Sequence, residues 1–198
     1  EVDITYFGHG AFLFTSPSGT GVLFDDWQGF KAADGTVLLK SFPKVATTAR
    51  FSTQGAPRSW TSGDVRVVGI ASGNDSIYLL WTGGLTILVW GTADLVATNI
   101  TDTITKLDIL VAPANSIGGG PGGLEALAER LRPALVIPAR YHIEGLSDPA
   151  AGLQAIDQWV YNQPYRTALG KSILTATPEW MEGFDQHIQY FGSHYRTE

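Results

Sequence analysis

Apolar and polar residues alternate along the first half of the chain in the way expected of half-buried strands. The pattern begins at residues 2–7, and shorter apolar runs follow at 11–14 and 22–24. Further strands are predicted at 65–71, 77–82 and 85–90, and the Gly83-Gly84 pair between the last two is a two-residue hairpin signal. Residues 28–63 have no periodic pattern, so we expect irregular structure there.

The last third of the chain alternates predicted strands with predicted helices. The strands are expected at 108–112 and 135–137, and the helices at 124–131, at 149–162 with Asp148 as N-cap, and after Glu179. No linker divides the chain. Strands followed by a strand–helix alternation predict one layered α/β domain over 1–198.

Composition narrows the classes of function. Only 16% of the 198 residues are charged, the net charge is −6, and no basic run is present. This argues against nucleic-acid binding, which needs Lys and Arg to neutralise phosphates. The absence of Cys excludes disulfides and thiolate metal sites. No apolar stretch reaches the roughly 18 residues of a transmembrane helix. The abrupt start at Glu1 leads us to expect an exported protein after removal of a leader.

Few residues form recognisable chemical motifs. The four histidines, which include His9 and His142, form no H-x-H or H-E-x-x-H cluster. Asp25 and Asp26 follow a predicted strand and are candidates for acid–base work, or they satisfy loop backbone. Gly119 and Gly120 lie in a glycine-rich loop before a helix. Its backbone N–H groups could hold an anion, or the loop is simply flexible.

Five segments in the same order resemble the metallo-β-lactamase fold superfamily, in the branch of UlaG-like lactonases and related hydrolases. They are ITYFGHGAFL at 4–13, LFDDW at 23–27, GNDSIY with GLTI at 73–87, LDILVAP at 107–113 and LVIPARY at 135–141. The resemblance covers about residues 2–145. It implies an αββα four-layer sandwich with the site at one edge of the two sheets. Residues 146–198 then form a divergent C-terminal extension of helices and strands.

The resemblance also implies where metal ligands should lie, and there the sequence departs from the family. The slots of the family's first ligand motif hold Thr48, Arg50, Ser52 and Thr53, and the slot of its last histidine holds Arg140. Zinc requires imidazole, carboxylate or thiolate donors. Arginine stays protonated and has no lone pair to donate. We therefore expect no metal cofactor.

Two hydrolase alternatives stay open. Asp94 and His142 each lie two residues past a lost ligand position. A zinc site relocated onto Asp94, His142 and His9 would therefore keep the same strand facing. The other alternative is a metal-free acid–base site built on Asp25, Asp26 and His142.

The leading hypothesis is a non-catalytic pseudoenzyme that binds a protein partner or a small anionic ligand, or that serves as a structural or assembly subunit. If Arg50 and Arg140 point into the former metal pocket beside Gly119 and Gly120, they would suit a phosphate or a carboxylate. Otherwise each Arg pairs with Asp25, Asp26 or Asp94 and fills the space that the metal vacated.

Overall fold

A computed structural model describes residues 1–27, 30–31, 37–38, 42–91, 100, 104–114, 121–147 and 152–198. Within these ranges the chain forms fifteen strands and two helices. The strands are β1 (Val2–Tyr6), β2 (Phe12–Thr15), β3 (Gly21–Phe24), β4 (Phe30–Lys31), β5 (Val37–Leu38), β6 (Ala49–Phe51), β7 (Trp60–Ser62), β8 (Val65–Ser72), β9 (Asp75–Thr82), β10 (Leu85–Trp90), β11 (Ile109–Pro113), β12 (Leu135–Ala139), β13 (Arg166–Ala168), β14 (Ile173–Ala176) and β15 (His187–Tyr190). The helices are α1 (Pro121–Leu131) and α2 (Asp157–Tyr161). None of the described helices is long and apolar enough to cross a membrane.

The strands form a small sheet and a large sheet. The small sheet has the order β14-β1-β2-β3-β6, and the large sheet has the order β13-β15-β12-β11-β10-β9-β8-β7. Strands β10, β11, β12 and β15 run parallel in the large sheet, and β3 and β6 run parallel in the small sheet. The C-terminal part of the chain contributes β14 to the small sheet and β13 and β15 to the large sheet.

The two sheets face each other across an aromatic core. The Phe24 ring of β3 lies 5.5 Å from the Tyr78 ring of β9, and the Phe51 ring of β6 lies 5.2 Å from the same tyrosine. The same face continues across the neighbouring strands of the large sheet. Val89 of β10 lies opposite Tyr78, and Val111 of β11 lies opposite Val89, so all three side chains are on the inner face. The core therefore fixes the distance between the edges of the two sheets.

The predicted αββα sandwich is wrong. Strand far exceeds helix in the described chain, and both described helices lie on the outer face of the large sheet. Loop residues cover the outer face of the small sheet instead. There Phe7, Ala11, Leu13 and Leu23 pack against Trp27, Phe42 and Val45. These side chains bury the apolar face that a helix would otherwise have to cover.

Other sequence predictions had mixed outcomes. The hairpin at Gly83 and Gly84 is confirmed, with φ of 58° and 76°. The helix predicted at 124–131 is present and begins earlier, at Pro121. The helix predicted at 149–162 is wrong, since only Asp157–Tyr161 is helical and 148–151 lie outside the described residues.

The helix expected after Glu179 is also wrong, because residues 178–183 form consecutive turns that Gly183 ends with a φ of 85°. Residues 28–63 include β6 and β7, which have too few periodic positions for the pattern to predict.

Candidate functional site

Five chain segments meet at one edge of the two facing sheets. Parallel strands have their carboxyl ends at the same edge of a sheet. Strands β3 and β6 therefore bring Asp25 and Thr53 together on one side, while β10 and β12 bring Gly91 and Arg140 to the other. The turn between β1 and β2 adds His9. These residues thus lie at one edge of the two sheets, which is the kind of position that the resemblance implies for the site.

Asp25 is the centre of the hydrogen-bond network at this edge. Its Oδ1 accepts the backbone N–H of Thr53 at 2.7 Å. Its Oδ2 accepts the Thr53 hydroxyl at 2.7 Å and Arg140 Nη2 at 2.9 Å. The Asp25 side chain is 8% exposed and that of Arg140 is 20% exposed. A buried ion pair with additional hydrogen bonds is the arrangement in which removal of either partner is costly.

Arg140 is held by the turn that contains His9. The Arg140 backbone N–H donates to the His9 carbonyl at 2.9 Å. Its guanidinium lies where a side chain on residue 10 would be, since a Cβ on Gly10 would lie 2.7 Å from Arg140 Cζ. Glycine at position 10 therefore leaves the room that the guanidinium needs to reach Asp25.

Thr53 and Gly91 form a still closer contact between the sheets. Thr53 is fully buried. A Cβ on Gly91 would lie 1.9 Å from Thr53 Oγ1 and 2.4 Å from Thr53 Cβ. Only glycine at position 91 lets Thr53 sit where its hydroxyl reaches Asp25.

Three residues of the network have left-handed backbone conformations. The φ angles of His9, Asp25 and Arg140 are 54°, 53° and 54°. Residues other than glycine adopt this conformation at a cost of roughly 1–2 kcal/mol each. Such conformations cluster at functional sites, where surrounding contacts hold them in place.

A second, more exposed ion pair lies beside the first. Arg50 Nη1 lies 2.6 Å from Asp26 Oδ2, and the two side chains are 49% and 41% exposed. Arg58 stacks over the Phe51 ring at 4.1 Å and donates a hydrogen bond to the Arg50 carbonyl. Exposed pairs of this kind contribute little to stability, about 0–1 kcal/mol.

His9 is held in its neutral form. Burial, together with the nearby Arg140 guanidinium and His142, lowers the pKa of His9 from 6.5 to about 4. His142 itself lies 3.3 Å from the exposed Glu144 carboxylate. The three residues of the predicted acid–base site have different ion-pair partners: Glu144 for His142, Arg50 for Asp26 and Arg140 for Asp25.

The structure brings together some of the predicted site residues and not others. Arg140 pairs with Asp25 and Arg50 pairs with Asp26, which are the pairings that the space-filling alternative expects. Asp94, Gly119 and Gly120 lie outside the described residues. Sequence reasoning missed the roles of Gly10 and Gly91, because a glycine that makes room for a distant side chain has no local signal.

The residues described at this edge do not fit a zinc ion. Both oxygens of Asp25 already accept hydrogen bonds, and the guanidinium on Oδ2 would repel a dication. Thr53 offers only a hydroxyl, which is a poor zinc donor. Within the described ranges no group of three or more His, Asp or Glu side chains could hold a metal.

Comparisons with known proteins show the fold. The sequence matches no protein-family model and no curated protein. A structure from Thermotoga maritima, named as a Zn-dependent hydrolase of the metallo-beta-lactamase superfamily, is similar over 96% of this chain and 99% of that one, with 16% identity and a TM-score of 0.71. CmlA, a diiron beta-hydroxylase from Streptomyces venezuelae, is similar over 71% of this chain and 45% of that one, with 12% identity and a TM-score of 0.50.

The chain therefore shares the fold of a structure that is named for the metallo-beta-lactamase superfamily, the family that the sequence resembles. The neighbour with the higher TM-score is a hydrolase by name, whereas the donor set described at this edge does not fit zinc. Fold and site chemistry thus have to be considered separately.

We predict that Gly91→Ala lowers the free energy of unfolding by about 2 kcal/mol or more, because the new methyl group overlaps Thr53. Urea denaturation measures this. Gly21→Ala is the control, since its Cβ would meet Leu13 Cδ1 at 3.4 Å. It should cost less than about 1 kcal/mol. Equal losses in the two variants would contradict the close Gly91–Thr53 contact.

Stability should also fall as the pH drops from 6.5 toward about 4, the pKa of His9 in the folded state. Between these two pH values His9 binds a proton in the unfolded chain but stays neutral in the folded chain. The free energy of unfolding therefore falls by about 1 kcal/mol for each pH unit of acidification. His9→Asn, which tolerates a left-handed φ, should flatten this slope in denaturation series. The exposed His194→Asn should not, and identical slopes in both variants would sink the prediction.

Proposed function

We propose that this chain is a non-catalytic member of the metallo-β-lactamase fold, from the UlaG-like branch, that works by binding or as a structural subunit and without a metal. The observation that carries the proposal is the Asp25–Arg140 ion pair. Arg140 pairs with the Asp25 carboxylate at the edge of the sheets where the resemblance implies the metal site. A guanidinium supplies the positive charge there, but it neither accepts a substrate oxygen as a ligand nor activates a water molecule.

The burial of the pair supports a structural use of Arg140. Its backbone is fixed by His9 and its side chain by Asp25, so one residue links the ends of β1, β3 and β12. A zinc ion held by ligands from the same strands would link them in a comparable way. We infer that Arg140 performs this linking role.

A small anionic ligand is a second candidate, supported by the unused donors of Arg140. Its guanidinium makes one side-chain hydrogen bond within the described part of the chain, to Asp25, out of five N–H donors. A carboxylate or phosphate could take two of the others in a bidentate contact.

The competing hypothesis is a hydrolase. It rests on the fold likeness and on the relocated zinc ligands Asp94, His142 and His9, or on a metal-free site with Asp25, Asp26 and His142. The metal-free version requires Asp25 to release Arg140 and Thr53 before it can act as a base. The proposal of a binding role needs no such rearrangement.

Elemental analysis of untagged protein, purified without chelators, tests the metal. We expect substoichiometric zinc, iron and manganese, and a melting temperature that neither chelator nor added zinc changes. One tightly held metal ion per chain would overturn the proposal and favour the relocated site.

Two arginine variants test the ion pair and the anion together. Arg140→Met should lower the free energy of unfolding by about 3 kcal/mol, because Asp25 stays buried without its counter-charge. Arg50→Met should cost at most about 1 kcal/mol, because its pair is exposed. If inorganic phosphate raises the melting temperature of the parent, Arg140→Met should abolish that rise. Phosphate stabilisation that persists in this variant would refute an anion site at Arg140.

A further inference from the structure

A cavity lies on the outer face of the large sheet, away from the Asp25–Arg140 edge. It measures about 490 Å³ and lies between α1, α2 and strands β12 and β15. Its floor is apolar: Leu124 of α1 and Val136 of β12 are buried there, as is Ile188 of β15. Small-molecule sites are cavities of this size with an apolar floor and a few polar groups at fixed positions.

Two glutamates of α1 form one side of the cavity. Glu125 and Glu129 are four residues apart and therefore lie on the same face of the helix. Glu125 Oε1 accepts hydrogen bonds from the Trp159 indole and from Gln163 Nε2, and Glu129 Oε2 accepts Gln186 Nε2 at 3.2 Å. The Glu125 carboxylate thus has only neutral side-chain donors in the described part of the chain, while Glu129 is held by Gln186 on Oε2 and by Arg132 on Oε1.

The charge at the cavity is unbalanced. No Lys or Arg is among its lining residues. Arg132 lies 3.1 Å from Glu129 and also pairs with Asp185, so its single charge is shared between two carboxylates. In the described part of the chain Glu125 pairs with no cation at all. Like charges four residues apart on a helix are destabilising, so this arrangement weakens α1 when nothing neutralises it.

The apolar floor, the partly buried Trp159 and the two fixed carboxylates together define one class of ligand. We propose that the cavity binds an organic cation: a protonated primary amine on an apolar or aromatic body. The ammonium group lies between Glu125 and Glu129, and the body covers the floor beside Trp159. The fixed donors reduce the cost of ordering the carboxylates on binding. This site is independent of the Asp25–Arg140 pair, so the proposed function can fail without affecting it.

Calorimetric titration of the full chain tests the assignment with two probes of nearly equal shape. We expect 2-phenylethylamine, which is charged, to bind at least about fivefold more tightly than neutral 2-phenylethanol. Glu125→Gln should remove this preference. Glu198→Gln changes the net charge equally but lies at the C-terminus, and it should keep the preference.

Three results would overturn the proposal. They are equal affinity for the amine and the alcohol, unchanged amine affinity in Glu125→Gln, and no amine binding by the parent chain. Should Glu125→Gln fail to fold, Glu129→Gln is measured in its place with the same expectations, because its amide oxygen can still accept the Gln186 hydrogen bond and the cavity floor is unchanged. Loss of the preference in Glu198→Gln would also count against the site, since it would show a general effect of net charge.

Discussion

The ion pair between Asp25 and Arg140 is the interaction on which the edge of this molecule depends. It joins the carboxyl end of β3 in the small sheet to that of β12 in the large sheet, and Thr53 adds two hydrogen bonds to the same carboxylate. Burying the two charges costs several kcal/mol per ion before their attraction is counted. The attraction between the charges offsets this cost only when the hydrogen-bond geometry is good. The residues around the pair must therefore leave room for that geometry.

Those constraints explain the unusual backbone at this edge. Gly10 and Gly91 are required because Arg140 and Thr53 occupy the space of their absent side chains. Asp25 and Arg140 both have left-handed backbone conformations, and the hydrogen bond between their side chains helps to offset the cost of these conformations. Direct hydrogen bonds between the two sheets thus stabilise this edge of the fold.

Much of the fold could be predicted from the sequence, and the site only in part. Strands such as Leu85–Trp90 have a clear alternation, and the segments around Asp25 and Arg140 resemble a known fold in the right order. The prediction that a layer of helices covers the small sheet is wrong. Loop residues such as Trp27 and Phe42 cover that face, and isolated aromatics in a loop have no periodicity. Short strands in the tail were missed for the same reason, because three or four residues do not establish a pattern.

The site, like the fold, has features that follow from single residues and features that depend on residues far apart in the sequence. Some of its chemistry can be inferred from single residues, because an arginine at position 140 cannot donate a lone pair to zinc whatever surrounds it. Which role Arg140 takes depends on the acid that lies opposite, and Asp25 is separated from Arg140 by 115 residues. The type of a residue can therefore exclude a function at its position. Which function the residue does have depends on the side chain that it contacts in the folded structure. Here that side chain is the buried carboxylate of Asp25, so the contact that Arg140 makes in this structure is one that holds the two sheets together.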